Sequence, residues 1–135
     1  MSDSVAKTTD QQYRAAIVLT SDVILALDIE QALESIAYRT WINHDYDLAN
    51  LESSGPSKID IAIVEVQPGD SHSNVSLIWL QDRGVPTVVL STSDLNPNSY
   101  FAGMQQIVGS FTKPVHVDKI LPFVSSLTED SPQTG

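Results

Sequence analysis

The sequence predicts an α/β fold in which helices cover both faces of a five-stranded parallel sheet. The first observation is the stretch 59–66, where six of eight residues are apolar and Pro-Gly follows soon after. A short apolar run of this kind is typical of a strand that is buried on both faces, as in a parallel sheet. The second observation is that strand-like and helix-like segments alternate along the chain. The third is that the connections between them are short, which favours crossover helices.

The first half of the chain supplies two strands and two helices before the 59–66 strand. Residues 15–19 form the first apolar run, which ends at Thr20-Ser21-Asp22. Residues 25–36 place apolar side chains at helical spacing and acidic ones on the other side, which predicts a helix. Residues 39–43 are predicted as a second strand. Residues 45–53 are predicted as a weaker helix that ends before Gly55-Pro56.

The second half repeats the alternation three more times. We predict a loop at 67–74, a helix at 75–82, a strand at 86–90, a helix beginning at Asn96-Pro97, a strand at 107–112 and a helix at 115–127. Pro122 lies inside the last helix, where proline costs about 3 kcal/mol, so we expect a kink or break there. The polar segments 1–12 and 128–135 are predicted as disordered tails around one domain, residues 13–127.

The predicted strand order is 2-1-3-4-5, because this order buries the three most apolar strands. The carboxyl ends of the strands then converge on one crevice, lined by Thr20, Ser21, Asp22, Glu65, Ser91 and Lys113. Glu65 is the exceptional residue. A carboxylate near the end of a buried strand is costly unless it is paired or lies where the sheet opens into a pocket.

Composition excludes several classes of function. The chain has 17 acidic and 7 basic residues and a net charge of −10, which disfavours nucleic acid and anionic membranes as partners. It has no cysteine, no apolar run long enough to cross a bilayer and no secretory signal pattern, so we expect a cytoplasmic protein. The three histidines lack metal-site spacing, so no metal site is predicted from them.

Residues in four places resemble the receiver domain of two-component response regulators, over roughly 15–127. They are the segment 26–30 after the first strand, Glu65 with Pro68-Gly69 after it, the segment 86–91, and Lys113-Pro114. The resemblance implies a flavodoxin-like sheet with an acidic pair that holds Mg²⁺. It also implies an Asp that accepts a phosphoryl group from phosphohistidine, and a Ser or Thr and a Lys that contact this group.

Carried onto this chain, the resemblance matches Ser91 and Lys113 but departs at the other positions. Glu65 stands at the phosphoacceptor position. Thr20 and Ser21 stand where the acidic pair should be, and a shift of one residue would bring Asp22 into the pocket. Two hydroxyls supply no charge for Mg²⁺, which is usually held by one or two carboxylates. Glu is one methylene longer than Asp, and a misplacement of about 1 Å can cost ~100-fold in a positioned reaction.

The sequence therefore predicts a degenerate receiver that is not an enzyme, binds no cofactor, disfavours Mg²⁺ and is not efficiently phosphorylated. Two hypotheses remain for Glu65. Its carboxylate either mimics a phosphoryl group by contacting Lys113 and Ser91, or forms an ion pair with Lys113 that only neutralises the pocket. The second is favoured. A buried ion pair often adds no stability compared with apolar residues, but removal of one partner leaves a costly lone charge. The aromatic residue that often reports the pocket's state in the family is replaced by Ser110, with Phe111 on the opposite face.

We predict a stand-alone signalling module that acts by protein–protein contact. The resemblance implies a histidine kinase, phosphotransfer or output protein as partner, and possible homodimerisation, through residues 96–127. Candidate surface residues there are Tyr100, Phe101, Met104 and Ser110. One alternative is an unorthodox phosphoacceptor with Mg²⁺. Another is a flavodoxin-like cofactor-binding protein, although the loop after the first strand has no glycine to cradle a phosphate.

Overall fold

The computed structural model describes residues 13–67, 71–91 and 103–133, with side chains up to 127. The five strands are β1 Arg14–Leu19, β2 Tyr38–Asn43, β3 Ile61–Val66, β4 Thr87–Ser91 and β5 Ile107–Thr112. The helices of the described segments are α1 Val23–Glu34, α2 Leu48–Ser54, α3 Ser71–Asp82 and α4 Val117–Gln133. Among these helices, none combines the length and the apolar character that a bilayer crossing requires.

The sheet confirms the predicted architecture. All neighbouring strands pair in parallel, and their order is β2-β1-β3-β4-β5. The three central strands are in register across the sheet, with Val18 beside Ile63 and Ile63 beside Val88. Their carboxyl ends therefore reach the same edge, as expected of a doubly wound sheet.

Side chains of the central strands alternate between two apolar layers. Ile61 and Ile63 of β3 pack in the layer that contains α1 and α4, while Val64 and Val66 pack in the layer that contains α2 and α3. Successive residues of a strand point to opposite faces. Glu65 follows the alternation of Ile61 and Ile63, so its side chain lies on the α1 and α4 side of the sheet.

Helix α3 begins earlier than the sequence predicts. It starts at Ser71, inside the segment predicted as a loop, rather than at Val75. The reason is that its first turn buries Ser73, a small polar residue, where a periodicity analysis looks for an apolar one. The hydroxyl of Ser76 donates to the carbonyl of His72 at 2.8 Å, so a buried polar side chain is satisfied within the helix.

Helix α4 is longer than predicted and is not broken at Pro122. It is continuous from Val117 to Gln133, so residues 128–133, predicted to lie in a disordered tail, are helical. Pro122 is exposed, as is Asp118 four residues before it. The carbonyl that loses its hydrogen-bond donor is thus on the solvent side, where water can replace the donor. The predicted tail at 1–12 and the helix predicted from Asn96 lie outside the described residues.

Candidate functional site

Four side chains meet at the carboxyl edge of the sheet and form what we term the pocket network: Thr20, Asp22, Glu65 and Lys113. The Lys113 ammonium donates to Glu65 Oε2 at 3.0 Å and to Asp22 Oδ2 at 3.1 Å. The Thr20 hydroxyl donates to the other oxygen of Glu65, Oε1. Both oxygens of the buried carboxylate are therefore engaged by side chains that follow β1 and β5.

Local structure fixes each member of the network. Asp22 is the N-cap of α1, and its Oδ1 accepts from the Leu25 backbone N–H at 3.0 Å. The Asp22 backbone N–H donates to Thr20 Oγ1 at 3.0 Å, so the Thr20 hydroxyl is both donor and acceptor. Lys113 directly follows β5, and its backbone N–H donates to the Ser91 carbonyl at 2.7 Å. The Lys113–Pro114 peptide bond is cis.

Burial within the network falls from Glu65 through Lys113 to Asp22. The Glu65 side chain is 4% exposed, that of Lys113 is 22% exposed and that of Asp22 is 39% exposed. A charge as buried as Glu65 is stable only when it is paired and hydrogen-bonded. The ammonium of Lys113 and the hydroxyl of Thr20 meet both requirements.

The two less buried partners of Glu65, Asp22 and Lys113, have shifted pKa values. The Leu25 backbone N–H and the Lys113 ammonium hold the pKa of Asp22 below its ordinary value of 3.8. Burial by itself lowers the pKa of Lys113, but hydrogen bonds to Glu65 and Asp22 outweigh burial and raise the pKa above 10.5. Both shifts favour the charged forms, so these two groups remain ionised across the neutral range.

Two residues that the sequence analysis did not assign to the pocket border it. His44 lies 2.8 Å from the Thr20 carbonyl through Nδ1, and the Tyr46 hydroxyl donates to the Glu65 carbonyl at 2.7 Å. Since a carbonyl only accepts, the proton of this contact is on Nδ1 of His44. Tyr46 adopts a left-handed conformation with φ of 56°, which is uncommon for a residue with a side chain. Hydrogen bonds from a side chain to a main-chain carbonyl far along the chain leave no pattern in the sequence, so the sequence analysis could not find these two residues.

The other predicted pocket residues have different positions. Ser21 is exposed, while Thr20 and Asp22 on either side of it contact the network. The register shifted by one residue is therefore the one that brings a carboxylate into the pocket. Ser91 is buried at the end of β4 but follows the alternation of Val89, which packs in the α2 and α3 layer. Its backbone carbonyl accepts from the backbone N–H of Lys113 at 2.7 Å.

The predicted interaction surface is described only in part. Tyr100 and Phe101 lie outside the described residues. Met104 is half-buried and packs against the α2 and α3 layer, so it belongs to the core rather than to an outer patch. Ser110 is exposed, and Phe111 turns inward to pack edge-on against Phe123 with ring centroids 5.9 Å apart.

The donor set of the pocket does not fit a divalent metal. Mg²⁺ requires near-octahedral oxygen ligands, with carboxylates free to coordinate it. Here one oxygen of each carboxylate is paired with Lys113, and the remaining Glu65 and Asp22 oxygens accept from Thr20 and Leu25. Within the described segments, no three His, Cys, Asp or Glu residues cluster as metal ligands.

Comparison with solved structures identifies the fold. The chain superposes on a response regulator from Thermotoga maritima with a TM-score of 0.66 and 19% identity, covering 84% of this chain and 96% of that one. It superposes on a response regulator receiver domain protein from Methanospirillum hungatei with a TM-score of 0.73 and 16% identity, covering 91% and 99%. The Francisella response regulator 1452 receiver domain gives 0.68 and 20%, covering 87% and 98%.

The chain therefore has the receiver-domain fold of response regulators. The superpositions establish the fold, and identities this low leave the chemistry of the site to be argued from this chain's own residues. No protein-family model and no curated protein matches the sequence.

Proposed function

We propose that this chain is a receiver-like signalling module of a two-component or phosphorelay system, which acts through protein–protein contact and is not efficiently phosphorylated. The observation that carries the proposal is the pairing of one lysine with two carboxylates. Lys113 contacts both Glu65 and Asp22, while Thr20 holds the second Glu65 oxygen. The receiver fold supports a signalling role. The pocket network supports a site that is not efficiently phosphorylated, which we call the silent site.

The chemistry follows from the groups that surround Glu65. A carboxylate attacks phosphorus only if one oxygen is free and in line with the leaving group. Both oxygens of Glu65 already accept hydrogen bonds, and the side chain is almost fully buried. Phosphoryl transfer depends on positive charge around the transferring oxygens. The Lys113 charge is instead shared between two resident carboxylates, so the site keeps a net negative charge that repels phosphate.

For Glu65 we propose charge neutralisation rather than mimicry of a phosphoryl group. The contacts of Lys113 support this role, because its one ammonium pairs with both Glu65 and Asp22 and so balances charge in the pocket. The exposed Ser110 also offers no aromatic ring through which a change at the pocket would reach the surface. The module then presents one constant surface to a histidine kinase, phosphotransfer or output protein.

Incubation with acetyl phosphate and Mg²⁺, followed by intact-mass measurement, tests the silent site. We expect the full chain to gain no phosphoryl group. The matched variant Glu65→Asp shortens the side chain, and the double variant Thr20→Asp/Glu65→Asp also supplies a second carboxylate near the metal position. Phosphorylation of the double variant with an unmodified parent would support the proposal. A stable single phosphoryl group on the parent chain would overturn it.

The unorthodox phosphoacceptor remains the second candidate because Asp22 lies in the network. Asp22 is 39% exposed, so it is the carboxylate that a solvent-borne phosphodonor reaches first. The same mass measurement on Asp22→Asn distinguishes the two functions. If the parent is phosphorylated and Asp22→Asn is not, Asp22 takes part in an active site and the silent-site proposal is wrong.

A further inference from the structure

We draw no further inference here: the strongest candidate, the exposed apolar face that Val23, Ile24 and Leu27 form at the start of α1, carries none, because nothing in the described part of the structure shows what covers it.

Discussion

Replacement of Lys113 by methionine tests the energetic role of the pocket network most directly. Methionine keeps an unbranched side chain but removes the charge that Glu65 and Asp22 share. Glu65, 4% exposed, is then left as a buried carboxylate with one hydroxyl partner. Breaking a buried pair in this way costs about 3–5 kcal/mol. At roughly 3 °C per kcal/mol for a domain of this size, the melting temperature should fall by about 10–15 °C.

Chemical denaturation and thermal melting at neutral pH measure the loss. The control is the double variant Lys113→Met/Glu65→Met, which removes both buried charges and should recover most of the stability of the parent. A loss below about 1 kcal/mol, or a double variant no more stable than the single one, would refute the reasoning.

Three further predictions concern the same fold. Thr20→Val removes the hydroxyl that links the buried carboxylate to a backbone N–H, and should cost about 1–3 kcal/mol in chemical denaturation. Gly109→Ala should cost about 1–3 kcal/mol by the same assay, because a Cβ there lies 2.6 Å from the Phe123 ring. The stabilisation from Asp22, whose pKa is lowered, is lost only as the pH falls below its ordinary range. That from Lys113, whose pKa is raised, is lost only as the pH rises above 10.5. Melting temperatures should therefore show no step from these two groups between about pH 5 and pH 9.

Sequence patterns predicted the sheet because its central strands are short runs of consecutive apolar residues. The run from Ile61 to Val64 is wholly apolar, and burial on both faces is the environment that selects such a run. The start of α3 was missed because its buried first turn uses Ser73. The last turns of α4 were missed because residues 128–135 have the composition of a polar tail. A break was expected at Pro122 from the average cost of proline, but Pro122 lies on the solvent side, where that cost is smaller.

The sequence predicted the four members of the pocket network, but it also predicted Ser21, which is exposed, and it missed His44 and Tyr46. Glu65 and Lys113 were predicted to lie together because the strand order brings the carboxyl ends of β3 and β5 to the same edge of the sheet. That Asp22 rather than Ser21 faces the network depends on where α1 begins, and element boundaries are the least certain part of sequence reasoning. His44 and Tyr46 bind main-chain carbonyls far along the chain, and contacts of that kind leave no pattern in composition or periodicity.

The attachment of the 43–47 loop affects which substitutions the pocket can accept in evolution. His44 and Tyr46 are hydrogen-bonded to the main-chain carbonyls of Thr20 and Glu65. A main-chain carbonyl is present whatever side chain the position carries. Substitutions at positions 20 and 65 can thus alter the chemistry of the crevice without releasing the loop beside it. A receiver fold built this way is free to exchange its reactive groups while the rim around them keeps its shape.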